Sequence, residues 1–252
     1  MYYNKFVKYT DKLSTLTGAG NEQIPYPPLP ESPKISIREI LESGPKPKLI
    51  ALDLDHTLWP FTADYRSAIP PYTKKEDGVY GFTKSQEGER FEEKINLFPD
   101  VPSILGEIYD SGIPIAYTSR NFQTDSVRSL LTLFTINSAS ENISMIDCIR
   151  GNPVYFQVFM TRNAKTDHFT NIMSSSNIEP KDILFFDDES KNIESSTKLG
   201  ICSILLNRIT GLTKDEFVRG ITEWRRLHAL VPVPVPAPAP VPESKNSFCT
   251  IM

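Results

Sequence analysis

Cysteine is scarce, with three in 252 residues, at positions 148, 202 and 249. That number and spacing build neither a disulfide framework nor a zinc site. Cys148 and Cys202 fall in apolar stretches, as reduced core thiols do in a cytoplasmic protein. Long apolar runs are missing too: none approaches the roughly 18 residues of a membrane-spanning helix. The opening MYYNKFVKYTDKLSTLTGAG lacks the apolar stretch of a secretory signal and the arginines of a mitochondrial presequence. Positive charge is in deficit, since 27 Lys and Arg against 31 Asp and Glu leave a net charge of −4 and a pI near 5.5. This excludes the broad basic face that nucleic acid binding requires. The expected compartment is the cytoplasm.

Proline is in excess, but only at the ends. Of 21 prolines, seven lie within residues 1–47 and six within 230–252, leaving eight for the 182 residues between. Residues 1–46 therefore read as a polar, proline-rich extension with a short helix through Ile35–Glu42. Residues 230–252 read as a disordered tail. The middle, 47–229, has ordinary globular composition and enough length to bury one core.

Within that middle, short apolar runs alternate with amphipathic stretches. KLIALDLD, IPIAYTS, VYFQVFM, ILFFD and ICSILL read as strands, the first, second and fourth buried on both faces. VPSILGEIYDSG, TDSVRSLLTLF (with Thr124 as N-cap), AKTDHFTNIMSSS, ESKNIESSTKLG and TKDEFVRGITEWRRLH read as helices. Strands alternating with helices of this length imply parallel βαβ units, hence an α/β fold with a doubly wound sheet in a three-layer sandwich. Such sheets bind ligands beyond the carboxyl ends of their strands.

The polar residues at those ends are unusual. The first strand runs into Asp53-Leu54-Asp55-His56-Thr57, the second into Thr118-Ser119-Arg120, and ILFFD into Asp187-Asp188-Glu189. Along an extended strand Asp53 and Asp55 would point the same way. Paired carboxylates at a buried end are costly unless a cation joins them, and Mg²⁺ favours oxygen ligands. Lys165 lies between, at the start of a helix. Each feature alone has a bland reading as a helix cap, a loop hydroxyl or a surface charge. Together, in this order, they do not.

The set Asp53/Asp55/Thr57, Ser119, Lys165 and Asp187/Asp188 resembles the four motifs of the haloacid-dehalogenase-like (HAD) hydrolase superfamily. DLDHTLWPF, TSR and FFDDE with Asn192 resemble its magnesium-dependent acid phosphatases, over about residues 47–229. Carboxy-terminal-domain phosphatases carry Asp-Asn where FFDDE has Asp-Asp. Two departures are His56, where tyrosine is usual, and Thr62, where an aromatic often stands. The resemblance implies Asp53 as nucleophile, Asp55 as general acid and base, and an aspartyl-phosphate intermediate. It implies Mg²⁺ held by the Asp53 side chain, the Asp55 carbonyl and Asp188, with Asp187 as second choice. Phosphate oxygens would meet Ser119, the N–H groups of Leu54 and Arg120, and Lys165 as countercharge. Thr57 would brace the loop, Asn192 would bond within the fourth motif, and His56 and His168 would stay outside the chemistry. Trp59 and Phe61 would border the entrance or pack beneath the loop. Two close carboxylates with separated ionisations imply an acidic pH optimum.

About 61 residues separate Thr57 from Ser119. That accommodates a β-hairpin flap and a helix, with minimal or no cap domain. The resemblance then allows a phosphate monoester on a small molecule, such as a sugar phosphate, or phosphotyrosine on a protein. A phosphotransferase using the same intermediate and an inactive phosphate-binding scaffold are the alternatives. In the tail, VPVPVPAPAPVP would form a polyproline rod of roughly 35–40 Å. It leads to Cys249-Thr250-Ile251-Met252, a box that accepts a prenyl group, farnesyl by its Met. With only Lys245 basic nearby, one such chain would tether the protein weakly to a membrane.

Overall fold

The computed structural model describes residues 35–64, 68–85, 87–139 and 141–229. The proline-rich tail, Cys249 and residues 1–34 lie outside the described residues. Five strands form a parallel sheet: β1 (Leu49–Leu52), β5 (Ile115–Ser119), β8 (Phe156–Val158), β9 (Ile183–Asp187) and β10 (Cys202–Leu205), in the order β10-β9-β1-β5-β8. Every residue of β1, β5 and β9 is buried, as their continuous apolar runs require of strands covered on both faces. The expected doubly wound α/β sheet is therefore present.

Its helices are α1 (Ile37–Glu42), α2 (Val101–Asp110), α3 (Thr124–Leu133), α4 (Thr166–Ser176), α5 (Ser190–Lys198) and α6 (Lys214–Ala229). Ser36 and Glu39 close a capping box on α1, whose Ile37, Ile40 and Leu41 are buried in the common core. Arg225 of α6 donates to the carbonyls of Pro45 and Ile40, so α1 packs as part of this domain. Gly220 lets α6 approach the sheet, since a Cβ there would lie 2.4 Å from the ring of Phe186. Thr124 does not cap α3. It is the first helical residue, and its hydroxyl donates to Val158 O at 2.9 Å, while Asn121 Oδ1 accepts the Gln123 N–H at 2.7 Å. Burial pushes the thiols of Cys148 and Cys202 up to about 12, which leaves both protonated and inert.

Between β1 and α2 stands an antiparallel meander of three strands, β2 (Ile69–Lys75), β3 (Gly78–Lys84) and β4 (Arg90–Ile95), where a hairpin was expected. Lys74 Nζ donates to Leu133 O and Thr135 Oγ1 at 2.8 and 3.0 Å, which fastens the meander along α3. A small hairpin, β6 (Thr135–Asn137) and β7 (Asn142–Ser144), follows α3. No helix among the described residues is long and apolar enough to cross a membrane.

Candidate active site

The register of the sheet assembles the site. Leu52 pairs with Tyr117 on one side and Phe186 on the other, so the next residues, Asp53, Thr118 and Asp187, come level at the carboxyl edge. Asp53 N donates to Phe186 O at 3.0 Å and fixes the end of β1 against β9. Lys165 arrives from the start of α4, after Ala164 turns the chain at φ 49°. It is 1% exposed. Its ammonium lies 2.5 Å from Asp53 Oδ1 and 3.5 Å from Asp187 Oδ2, and it donates to Thr118 O. One lysine thus ties three strand ends together.

Asp53, Asp187 and Asp188 each offer an oxygen within 4.8 Å of the others. Besides Lys165, the cations at the cavity are Arg120 and the half-exposed Arg208, the latter 3.8 Å from Asp188. Burial and the charge of Asp53 push Asp187 up to about 8 and Asp188 up to about 6. Three oxygen donors clustered this closely fit a hard divalent cation such as Mg²⁺. The two aspartates differ in how they could hold it. Asp187 is fully buried and accepts from Glu189 N at 2.7 Å and from Asn192 Nδ2 at 3.0 and 2.9 Å. Asp188 lines the cavity, so the structure leaves it the more available ligand.

Asp55 does not run alongside Asp53. The strand stops at Leu52, and a turn begins at once: Leu54 O accepts from Leu58 N at 2.8 Å, and His56 sits at φ 59°. The Asp55 carboxylate stays outside the trio. Its Oδ1 accepts from Trp59 Nε1 at 2.8 Å and Ala63 N at 3.0 Å, and its Oδ2 from Asn121 Nδ2 at 3.3 Å. Burial, then the Asp53 charge, raises this carboxyl to about 6 against those hydrogen bonds. The two carboxyls of the DxD pair therefore have different surroundings.

A cavity of about 180 Å³ opens here, and Asp53, Asp55, Ser119, Lys165 and Asp188 all line it. Leu54, the residue after Asp53, is wholly buried. Arg120 extends its guanidinium to Glu189, 2.5 Å away, so a bridge from the end of β5 to the loop after β9 crosses above β1, which lies between them. Thr57 is buried beneath the loop and its carbonyl accepts from Leu212 N. Trp59 is wholly buried, not at the entrance, and stacks on Phe61.

Five residues have contacts around the site that the sequence did not give, although His56, Thr62 and His168 stood out in it. His168, expected as helix packing, stacks on Phe159 and lies 3.0 Å from Ser119 O. A carbonyl only accepts, so Nε2 carries the proton. Burial and the Lys165 charge lower this imidazole to about 4, so it stays neutral. Arg208 and the His56–Thr62 pair, 3.2 Å apart, line the cavity wall. Burial, then Arg208, lowers the His56 pKa. Asn121 holds Asp55. Arg208 follows β10, so asking of that strand end the question put to the other three would have found it.

A buried lysine amid strand-end carboxylates on a parallel α/β sheet defines a HAD-type hydrolase. The chain belongs to the Acid Phosphatase family, whose model matches residues 45–227. Magnesium-dependent phosphatase 1 of Homo sapiens is 31% identical over 162 residues, covering 63% of this chain and 77% of that one. A HAD-like hydrolase superfamily protein of Schizosaccharomyces pombe is 28% identical over 62% of this chain and 83% of that one. A solved HAD-superfamily hydrolase from Ehrlichia chaffeensis aligns over 72% of this chain and 99% of that chain at 15% identity, with a TM-score of 0.41.

Proposed function

We propose that the chain hydrolyses phosphate monoesters in two displacements on Asp53. The observation that carries the reading is Lys165, wholly buried and bonded to Asp53, with Asp55 held apart in the same cavity. In the first displacement an Asp53 oxygen bonds to phosphorus, the ester P–O bond breaks, and Asp55 gives its proton to the departing oxygen. In the second, water attacks the aspartyl-phosphate, Asp55 takes the water proton, and phosphate leaves with the Asp53 carboxylate restored. Lys165 offsets the charge spreading over the phosphoryl oxygens, and Ser119 with the N–H groups of Leu54 and Arg120 orients them. Asp53, Asp188 and the Asp55 carbonyl would hold Mg²⁺, which when bound would supply further charge neutralisation. A carboxyl at about 6 is protonated at acidic pH, as the first displacement needs.

The cavity is open and no separate cap domain covers it among the described residues, which suits small phosphate esters and phosphotyrosine on a protein alike. The test is p-nitrophenyl phosphate hydrolysis with Mg²⁺, with EDTA, and in Asp53→Asn. Activity in the parent alone supports the reading; activity that survives chelation or the substitution refutes it. A panel of sugar phosphates and phosphotyrosyl peptides, with and without alcohol acceptors, then separates substrate classes and hydrolysis from transfer.

A further inference from the structure

Trp59 has no exposed surface and does not reach the substrate cavity, yet its indole N–H is spent on a reacting group. The turn explains how. His56, in its left-handed conformation, donates its N–H to Trp59 O at 2.8 Å, closing residues 55–59 on themselves. The ring is then clamped against Phe61, with centroids 5.5 Å apart and planes within 9°, and against Phe134 at 6.2 Å. A rigid donor is thereby aimed at the carboxylate four residues earlier.

The two oxygens of Asp55 are unequal. Oδ1 accepts two N–H groups, from Trp59 and Ala63, at 2.8 and 3.0 Å. Oδ2 has one longer contact, from Asn121, which is itself anchored on Ala63 O at 2.7 Å. A proton on Oδ1 would stand against two donor hydrogens; Oδ2 has a lone pair to spare. We propose that Trp59 is a positioning residue that, with the Ala63 amide, confines the transferable proton of Asp55 to Oδ2. The inference rests on Asp55 acting as the general acid. A proton on the other oxygen would have to cross the carboxyl before each transfer.

Protonation of the leaving group matters more as that group becomes more basic, and this separates positioning from mere packing. The experiment compares kcat/KM for p-nitrophenyl, phenyl and alkyl phosphates in the parent, in Trp59→Phe, and in protein carrying benzothienylalanine at position 59. The last keeps the bicyclic shape and lacks the N–H, so it preserves the fold if Trp59→Phe does not. Expected is a loss within about threefold for p-nitrophenyl phosphate that grows to tenfold or more for the alkyl ester. An equal loss across the series, or none, overturns the inference. Asp55→Asn is the companion: if it shows no such gradient, the general-acid reading has failed. If it does and both position-59 variants do not, only the role of Trp59 has failed.

Discussion

Adding Mg²⁺ should stabilise the fold, and more at pH 7 than at pH 5. Asp187 and Asp188 are raised to about 8 and about 6 by burial beside Asp53. The folded protein without cation therefore holds protons that the unfolded chain has already lost, so these groups make stability fall as pH rises from about 4 to 8. A cation that needs the anions must expel those protons. For Asp188 alone, the group goes from about nine-tenths protonated at pH 5 to about one-tenth at pH 7. Apparent affinity then rises on the order of tenfold, a gap in stabilisation of about 1.4 kcal/mol once Mg²⁺ is well above Kd at both pH values. Ionising Asp187 as well would widen the gap. At a hundredfold excess over Kd the total stabilisation is about 2.7 kcal/mol. The assay is urea unfolding at both pH values with EDTA or graded Mg²⁺, in the parent and in Asp188→Asn. A shift that is absent, equal at the two pH values, or undiminished in Asp188→Asn refutes the assignment.

Lys165→Met should abolish turnover and cost about 3–5 kcal/mol at neutral pH, because it strands buried carboxylates. Lys198→Ala, which breaks an exposed pair with Glu194, should cost no more than about 0.5 kcal/mol in the same unfolding assay. Gly220→Ala should destabilise by about 1–3 kcal/mol through overlap with Phe186, read as a lowered urea midpoint with unchanged kcat. For Cys249, co-expression with a farnesyltransferase should add one prenyl mass to the chain and none to Cys249→Ser. Equal masses refute that proposal.

The sheet was legible because its strands are buried on both faces: LIAL, IAYTS and ILFFD have no polar interruption before their functional ends. Apolar density carries that signal, and the sheet register then brings Asp53, Ser119 and Asp187 to one rim. The meander was less legible because it has one buried face. In β4 only Ile95 is buried among six residues, so RFEEKI reads as polar loop. The divergence of Asp55 from Asp53 goes with a left-handed histidine, and histidine's enrichment at positive φ is too weak a sequence sign to reveal it. The partnership of Trp59 with Asp55 follows from that same turn and was hidden with it. Thr124 looked like a cap because threonine caps helices. Here Asn121, three residues earlier, satisfies the preceding N–H instead.

The order β9-β1-β5 at the centre of the sheet has an engineering consequence. Asp53 and the strands beside it form one contiguous block, locked from within by Lys165 and from above by the Arg120–Glu189 bridge. The meander and the edge strands β8 and β10 hang on that block without setting its internal spacing. Loops at the periphery are thus interchangeable parts. Grafting another meander, or resampling the segment around Arg208, is a route to new substrate selectivity that keeps the phosphoryl-transfer chemistry whole.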